Sequence, residues 1–315
     1  MTQDLVIEGI RDKTDRIREF ILRAADGGAL PGHSAGAHIK LDLGGPGTRS
    51  YSLIDWPDDP RPAQSWRMAV QREDDGQGGS AHMHGLVAGD RLTLDSAGND
   101  FPLADHDGPA LLLAGGIGIT PLISMATALS AAQRPFALHY TTRSRGVMAY
   151  EEALAEAFGA AVTFHHDDMV PLNLDTLFDG IDPATHLYVC GPKGMIEAAR
   201  AAANGAGLPD AQIHFELFTT PQAEEGDTAF EVEVASTGEV FTIPPGRTII
   251  EVLEEGGVDL IYDCQRGDCG ICQTEVLDGI PDHRDVVLSD AEKAEGKLMQ
   301  ICVSRAKSAK LVLDL

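Results

Sequence analysis

Four cysteines near the C-terminus constrain this chain more than any other feature of its sequence. Cys264, Cys269, Cys272 and Cys302 follow the spacing C-x4-C-x2-C-x29-C. This is the spacing of plant-type [2Fe–2S] sites, in which four thiolates hold two irons, whereas structural zinc sites usually combine two short C-x2–4-C pairs. The sequence therefore predicts a [2Fe–2S] cluster bound by these four thiolates, with a structural zinc ion as the alternative.

Composition limits the class of protein. A length of 315 residues favours two or three domains, and 43% hydrophobic residues with 34 glycines and 17 prolines is typical of a globular, turn-rich chain. The fifth cysteine, Cys190, has no partner for a disulfide framework, which favours a reducing cytoplasm. The first 20 residues are charged throughout, so we expect no signal peptide.

The charge of the chain bears on its partners. A formal net charge of −25 argues against nucleic acid, because phosphate binding needs clustered Lys and Arg. Residues 229–315 carry 17 acidic and 8 basic side chains, which favours docking on a basic face. Residues 108–133 are long and free of formal charge, but they contain a Gly-Gly-Ile-Gly turn and a proline. We therefore predict a buried strand, a turn and a helix start there rather than a membrane span.

The pattern of apolar, polar and turn-forming residues divides the sequence into four segments. Residues 1–106 contain short alternating runs between Gly, Pro and Asp turns, which predict a small β-barrel or sandwich. Residues 107–220 alternate apolar strands with helical stretches, which is typical of a parallel α/β sheet. Residues 221–228 are predicted to be a linker, and residues 229–315 have the strand, helix, loop and strand order of a β-grasp domain.

Two motifs in the first segment indicate a phosphate site. In R-S-Y-S, alternation along a strand points Arg49 and Tyr51 to one face and Ser52 to the other. The arginine can hold a phosphate with two hydrogen bonds. The glycines of G-Q-G-G-S, residues 76–80, precede a helix start whose N–H groups can bind an anion. Each motif alone is equally compatible with an exposed strand or a hairpin tip.

Two further motifs indicate a dinucleotide site in the second segment. L-L-L-A-G-G-I-G-I-T-P (residues 111–121) and Y-V-C-G-P-K-G-M (residues 188–195) both read as strand, turn and helix. Neither contains the G-x-G-x-x-G fingerprint, but glycine turns at the carboxyl ends of parallel strands can receive a pyrophosphate. The alternatives are simple strand-to-helix packing and, for Cys190, an inert core thiol. H-F-E-L-F (residues 214–218) is otherwise explained as a terminal strand.

Taken in order, R-x-Y-S, G-x-G-G-S, G-G-I-G-I-T-P, C-G-P, H-F-E-x-F and the four-cysteine pattern span nearly the whole chain. Together they resemble the phthalate dioxygenase reductase and vanillate demethylase reductase family. The resemblance implies a flavin-binding β-barrel, an NAD-binding α/β domain of ferredoxin-reductase type and a C-terminal plant-type ferredoxin domain.

The activity that the resemblance implies is that of an NADH-dependent reductase component of a two-component Rieske oxygenase. Electrons would pass from NADH to FMN, to the [2Fe–2S] cluster and to the oxygenase, during a transient contact with a monomeric reductase. Two alternatives remain open at this point. One is a reductase for another acceptor, such as a cytochrome or a diiron hydroxylase, and the other is a non-enzymatic redox carrier or sensor.

The resemblance also implies roles for the residues of the barrel motifs. Arg49 would bind the FMN phosphate, with Gly79 and Ser80 as further donors. Tyr51 would line one side of the flavin, and Ser52 would lie near its N5 atom.

For the nucleotide, the resemblance implies that Phe218 covers the nicotinamide-facing side of the flavin until NADH displaces it. The dinucleotide would be framed by Gly115, Gly116, Gly118, Thr120, Cys190, Gly191 and Pro192. Hydride transfer would involve Ser52, Thr120, Cys190 and Phe218.

Two charged pairs bear on specificity. The strand that ends in Y-T-T-R-S-R resembles those of NADH-using members, although Arg143 and Arg145 could meet a 2′-phosphate. Arg266 and Asp268 lie inside the cluster loop, where we expect the preference for a docking partner to be set.

Overall fold

The computed structural model describes residues 3–57, 65–74, 76, 78–218 and 226–315. Its contacts divide the chain into two compact units, Met1–Glu216 and Leu217–Leu315. A six-stranded and a five-stranded sheet lie in the first unit, and a second five-stranded sheet with a two-stranded ribbon lies in the second. The predicted multidomain fold is confirmed.

The six-stranded sheet is antiparallel and closes on itself. Its strand order is β4-β3-β6-β1-β2-β5, and an isolated bridge between Leu53, just after β4, and Met68 of β5 joins the two edges. Closure leaves no long edge exposed to other chains. Buried side chains such as Phe20 and Ile39 fill the interior. The elements are β1 (Gln3–Thr14), β2 (Ile17–Ala24), β3 (His38–Asp42), β4 (Thr48–Ser52), β5 (Trp66–Gln71), α1 (Gly79–Gly85) and β6 (Arg91–Gly98).

The five-stranded sheet of the first unit is parallel, because helices connect its strands. Its order β11-β10-β7-β8-β9 reverses direction between β7 and β10. Such a switch opens a crevice at the carboxyl ends of the strands, where ligands bind. The elements are β7 (Ala110–Gly115), α2 (Ile119–Ala131), β8 (Phe136–Thr142), α3 (Glu151–Phe158), β9 (Val162–His166), α4 (Leu174–Phe178), β10 (His186–Cys190), α5 (Lys193–Gly205) and β11 (Ile213–Glu216).

The uncharged stretch of residues 108–133 forms the strand, turn and helix that the sequence predicts. It contains β7, a 3-10 turn over Gly116–Gly118 and α2. Within the described ranges, no helix has the length and apolar character needed to cross a membrane.

The second unit is a β-grasp in which helix α6 packs on a mixed sheet of order β13-β12-β18-β14-β16. A capping box between Thr248 and Glu251 starts α6, since each side chain satisfies a backbone N–H of the other. The elements are β12 (Phe230–Val234), β13 (Val240–Ile243), α6 (Ile249–Glu255), β14 (Gln273–Asp278), β15 (Pro281–Asp282), α7 (Asp290–Glu295), β16 (Leu298–Gln300), β17 (Arg305–Ala306) and β18 (Lys310–Leu313).

The predicted linker, residues 221–228, is described only in its last three residues, since residues 219–225 lie outside the described part. Asp227 is buried, with 7% of its side chain exposed, and accepts hydrogen bonds from both terminal nitrogens of Arg284. The Arg305 Nε atom lies 3.7 Å from the same carboxylate. Asp227 is therefore held by the second unit. The domain boundaries proposed from the sequence remain predictions.

Two pairs of histidines bridge neighbouring parallel strands of the first unit. The Nδ1 atom of His139 lies 3.0 Å from Nε2 of His165, and Nδ1 of His186 lies 3.0 Å from Nε2 of His214. Each N–H···N contact needs one neutral ring to accept the hydrogen bond. Burial, followed by the charge of the neighbouring histidine, lowers the pKa of His139 and that of His214 to about 4.

We expect the thermal midpoint of unfolding to fall by about 5 °C between pH 7 and pH 5. An unfolded histidine has a pKa near 6.5, so the unfolded chain binds more protons between about pH 6.5 and 4, and stability is lost as the pH falls through this window. Melting curves followed by circular dichroism measure the effect. The combined substitution of His139 and His214 by Gln should flatten the pH dependence. A slope that is unchanged in this variant would contradict the assignment.

Candidate functional site

The two predicted phosphate motifs meet on the barrel. Arg49 and Tyr51 lie on the same face of β4, and Ser52 is buried on the other. A Cβ atom at Gly79 would lie 2.8 Å from Nε of Arg49, so the arginine side chain crosses directly over the start of α1. Gly78 makes the preceding turn with a φ of 85°, which favours glycine.

Two hydrogen-bonding side chains complete this part of the barrel. Burial raises the pKa of Tyr51 well above its usual range, and the charge of Arg49 offsets part of this shift. The tyrosine therefore stays neutral. The Oγ atom of Ser80 accepts a hydrogen bond of 2.9 Å from the N–H of Glu73, which fixes the start of α1 beside the end of β5.

The glycines of the α/β motifs allow backbone segments to touch at the switch between β7 and β10. A Cβ atom at Gly118 would lie 2.2 Å from the carbonyl oxygen of Cys190, and one at Gly191 would lie 3.0 Å from Cα of Gly115. At Gly115, a Cβ atom would meet Cδ of Pro192 at 2.8 Å. Gly118 and Gly191 need glycine because neighbouring backbone atoms leave no room for a side chain, and at Gly115 the side chains of Pro192 and Met195 fill the space.

Two of the residues assigned to the nucleotide are buried. The hydroxyl of Thr120 donates a 3.0 Å hydrogen bond to the carbonyl oxygen of Ile117, within the turn that starts α2. Cys190 ends β10 and is fully buried. The structure therefore places both side chains away from the cavity at this edge of the sheet, where they support its backbone.

A cavity of about 600 Å³ opens at the carboxyl ends of the parallel strands and reaches the barrel. The predicted residues Gly115, Gly116 and Pro192 line it. Sequence reasoning missed most of the other lining residues. Thr141 and Thr142 could have been found, because they end a parallel strand at the same edge as the glycine turn. The further lining residues include Thr14, Arg16, Gln71, Glu73, Arg143, Val147, Asp167 and Met195.

The four cysteines of the spacing motif come together in the second unit. Cys272 and Cys302 are buried, and Cys264 and Cys269 are half-buried. Hydrogen bonds from the thiols of Cys269 and then of Cys302 lower the pKa of Cys264, while burial opposes them. The N–H of Arg266 also reaches the Cys264 sulfur, at 3.3 Å.

The loop backbone fits a bulky inorganic group. Gln265, Gly267 and Gly270 all have positive φ, at 53°, 79° and 79°, so the chain turns sharply between the first three cysteines, as expected for the two glycines. A Cβ atom at Gly267 would lie 2.6 Å from Val303. Among the described residues, no group of His, Cys, Asp or Glu side chains is arranged around a single metal ion. A binuclear cluster instead divides four thiolates between two irons.

Phe218 belongs to the second unit, where it is half-buried. The other residues predicted to hold the nucleotide belong to the first unit. The role of Phe218 in covering one side of the flavin remains a prediction.

Comparison with known proteins agrees with this arrangement. Residues 232–307 match the 2Fe-2S iron-sulfur cluster binding domain family. The vanillate O-demethylase oxidoreductase of Pseudomonas sp. strain HR199 is 40% identical over 319 residues, which cover 99% of each chain. The solved structure of a phthalate dioxygenase reductase is 35% identical, with a TM-score of 0.76, and the match covers 100% of this chain and 98% of the reductase chain.

A type IV self-sufficient cytochrome P450 monooxygenase is also 35% identical, with a TM-score of 0.75, and the chain spans 41% of its length. The predictions of an oxidoreductase and of a family cofactor set of FMN, NADH and a [2Fe–2S] cluster are confirmed. The chain belongs to the phthalate dioxygenase reductase and vanillate O-demethylase oxidoreductase family, the reductase components of oxygenase systems.

Proposed function

We propose that this chain is the NADH-dependent reductase of a two-component Rieske non-haem iron oxygenase that acts on an aromatic compound, as a dioxygenase or an O-demethylase. The observation that supports it most is the presence, in one chain, of a nucleotide-sized cavity beside a flavin-type barrel and of a loop that gathers four thiols. When bound, NADH supplies a hydride to FMN, and the [2Fe–2S] cluster carries electrons one at a time.

The barrel residues bind and orient the flavin in this proposal. Arg49 holds the FMN phosphate as a charged donor, and Gly79 and Ser80 add donors at the start of α1. Tyr51 would contribute a neutral ring to one side of the flavin, and Ser52 would lie near its N5 atom. Because Arg49 already crosses over Gly79, its guanidinium needs little reorganisation to bind the phosphate.

The α/β residues bind the dinucleotide. Gly115, Gly116 and Pro192 line the cavity and receive the pyrophosphate. Four further residues lie behind those that line the cavity and hold the backbone of the lining in place: Gly118, Thr120, Cys190 and Gly191. In this proposal Phe218 would cover the nicotinamide side of the flavin and would be displaced by NADH. The four thiolates of Cys264, Cys269, Cys272 and Cys302 hold the cluster.

The partner is a Rieske-type oxygenase that docks transiently on a monomeric reductase. The acidic composition of residues 229–315 favours a basic face on that oxygenase. Cysteine thiols that serve as cluster ligands, with no disulfide framework, are consistent with a cytoplasmic location.

Substitution of Arg49 by Ala is expected to weaken FMN binding by about 10- to 100-fold, since loss of a hydrogen bond to a charged group costs about 1.5–3 kcal/mol. Flavin retained after gel filtration, identified in the acid extract, measures the effect. Arg91→Ala serves as the control, because Arg91 is an exposed barrel arginine whose Nη1 atom lies 3.4 Å from Asp4. Full FMN occupancy in the Arg49 variant, or FAD in the extract, would refute the assignment.

NADH is expected to be preferred over NADPH by at least about tenfold in kcat/KM. Arg143 and Asp167 both line the cavity, and a carboxylate beside a 2′-phosphate is unfavourable because like charges repel. Asp167→Asn should narrow the preference, while Asp168→Asn, the exposed neighbour outside the cavity lining, should not. Steady-state ferricyanide reduction with each nucleotide measures the ratio, and a higher value for NADPH would reverse the conclusion.

A cytochrome P450 acceptor is the second candidate, favoured by the likeness to the self-sufficient P450. Reconstitution separates the two. The reductase with NADH should support product formation by a purified Rieske oxygenase, here vanillate O-demethylase, at low micromolar concentration. Turnover of a P450, with none of the Rieske enzyme, would favour the second candidate.

A further inference from the structure

Asp268, between the first two cluster cysteines, is not placed to meet a docking partner. Only 4% of its side chain is exposed, and only 10% of the Arg266 side chain is exposed. The expectation that this pair sets a docking preference is therefore not supported by their positions. A buried carboxylate must instead be explained by the groups that it contacts inside the protein.

Asp268 contacts a backbone N–H far away in sequence, at a shorter distance than its distance to Arg266. Its Oδ2 atom accepts a hydrogen bond of 2.7 Å from the N–H of Leu217, 51 residues earlier. The Nε atom of Arg266 lies 3.4 Å from the same oxygen. Leu217 is itself 2% exposed, so this bond is shielded from water.

The carboxylate of Asp268 also contacts the cluster loop. Oδ1 is buried and has no hydrogen-bond partner among the described residues, and the side chain also interacts with the thiol of Cys264. One carboxylate thus contacts both the first cluster ligand and the peptide that leads into Phe218. Both contacts lie within the second unit.

We propose that Asp268 is a positioning residue that ties the backbone at Leu217, and through it Phe218, to the cluster loop. The cluster loop then also fixes the position of the backbone that leads into Phe218. The functional consequence rests on the proposed role of Phe218 at the nicotinamide side of the flavin. Asp268 itself touches neither the nucleotide nor the reacting atoms.

Amide hydrogen exchange of the full-length holoprotein tests the tie. In Asp268→Ala, exchange at Leu217 should be about 30-fold faster than in the wild type. Asp268→Asn keeps an oxygen acceptor but loses the charge, and should show an increase of about threefold. Asp259→Ala, which removes an exposed acid from the same stretch, should change nothing. If the Ala variant loses its cluster, the Asn variant decides.

A kinetic measurement tests the consequence. With ferricyanide as acceptor, Asp268→Ala should lower the KM for NADH about threefold at unchanged kcat, because a loosened Phe218 competes less with the nicotinamide. Asp268→Asn should restore most of the wild-type KM. Wild-type exchange at Leu217 in either cluster-loaded variant would overturn the tie. Faster exchange with an unchanged KM would overturn the link to Phe218, whereas the proposed reductase function fails only if the wild type does not oxidise NADH.

Discussion

Substitution of Cys302 by Ser is expected to lower cytochrome c reduction by more than about 100-fold while NADH still reduces ferricyanide. Cys302 is 1% exposed and shares thiol hydrogen bonds with Cys264 and Cys272. Substitution of a residue that only hydrogen-bonds to a metal ligand typically lowers metal affinity about 10- to 100-fold. Loss of a thiolate ligand itself should lower the affinity for the cluster at least as much. The cavity and the flavin barrel lie in the other unit, so hydride transfer should continue.

Iron and sulfide analysis and the two acceptor assays measure this outcome. Ile301→Val is the matched control, because it alters the neighbouring buried residue by one methylene, which costs about 0.5–1.5 kcal/mol and leaves the ligands in place. Loss of ferricyanide reduction in a Cys302→Ser protein that still holds FMN would contradict the separation of the two steps. If the wild-type protein contained zinc and no sulfide, the four cysteines would hold a structural zinc ion instead of a [2Fe–2S] cluster.

Substitution of Gly118 by Ala is expected to destabilise the first unit by about 3 kcal/mol and to abolish NADH-dependent flavin reduction. The added Cβ atom would lie 2.2 Å from the carbonyl oxygen of Cys190 and 2.4 Å from its carbonyl carbon. Both are backbone atoms at the end of a central strand, so relief requires the turn over Gly116–Gly118 to move away from the end of β10. That movement would displace the Gly115 and Pro192 edge where we place the pyrophosphate.

Gly194→Ala provides the control for this prediction. A Cβ atom at Gly194, in the first turn of α5, would meet no atom of the described residues within 4 Å, and alanine in a helix is favoured over glycine by about 0.4–1 kcal/mol. Urea unfolding and the KM for NADH should therefore be unchanged or slightly improved. Wild-type stability and KM in Gly118→Ala would show that the contact of the Gly116–Gly118 turn with the end of β10 does not control the site.

Several features of the site follow from local chemistry, and for these the sequence alone was sufficient. The spacing of Cys264, Cys269 and Cys272 implies one loop around one inorganic group, since three thiolates within nine residues have few other uses. The glycine turn at Gly115 and Gly116 was found because strand, turn and helix follow one another directly along the chain. Each of these patterns is complete within a dozen residues.

The tertiary structure decided what depends on contacts between distant segments. The cavity takes Gln71 and Glu73 from the barrel and Met195 from α5, and no spacing rule joins them. Asp268 reads in sequence as an exposed loop acid, yet it is buried against Leu217. The physical reason is that burial and hydrogen-bond partners depend on how distant segments pack together. The spacing of residues in the sequence indicates only which groups lie close together along the chain.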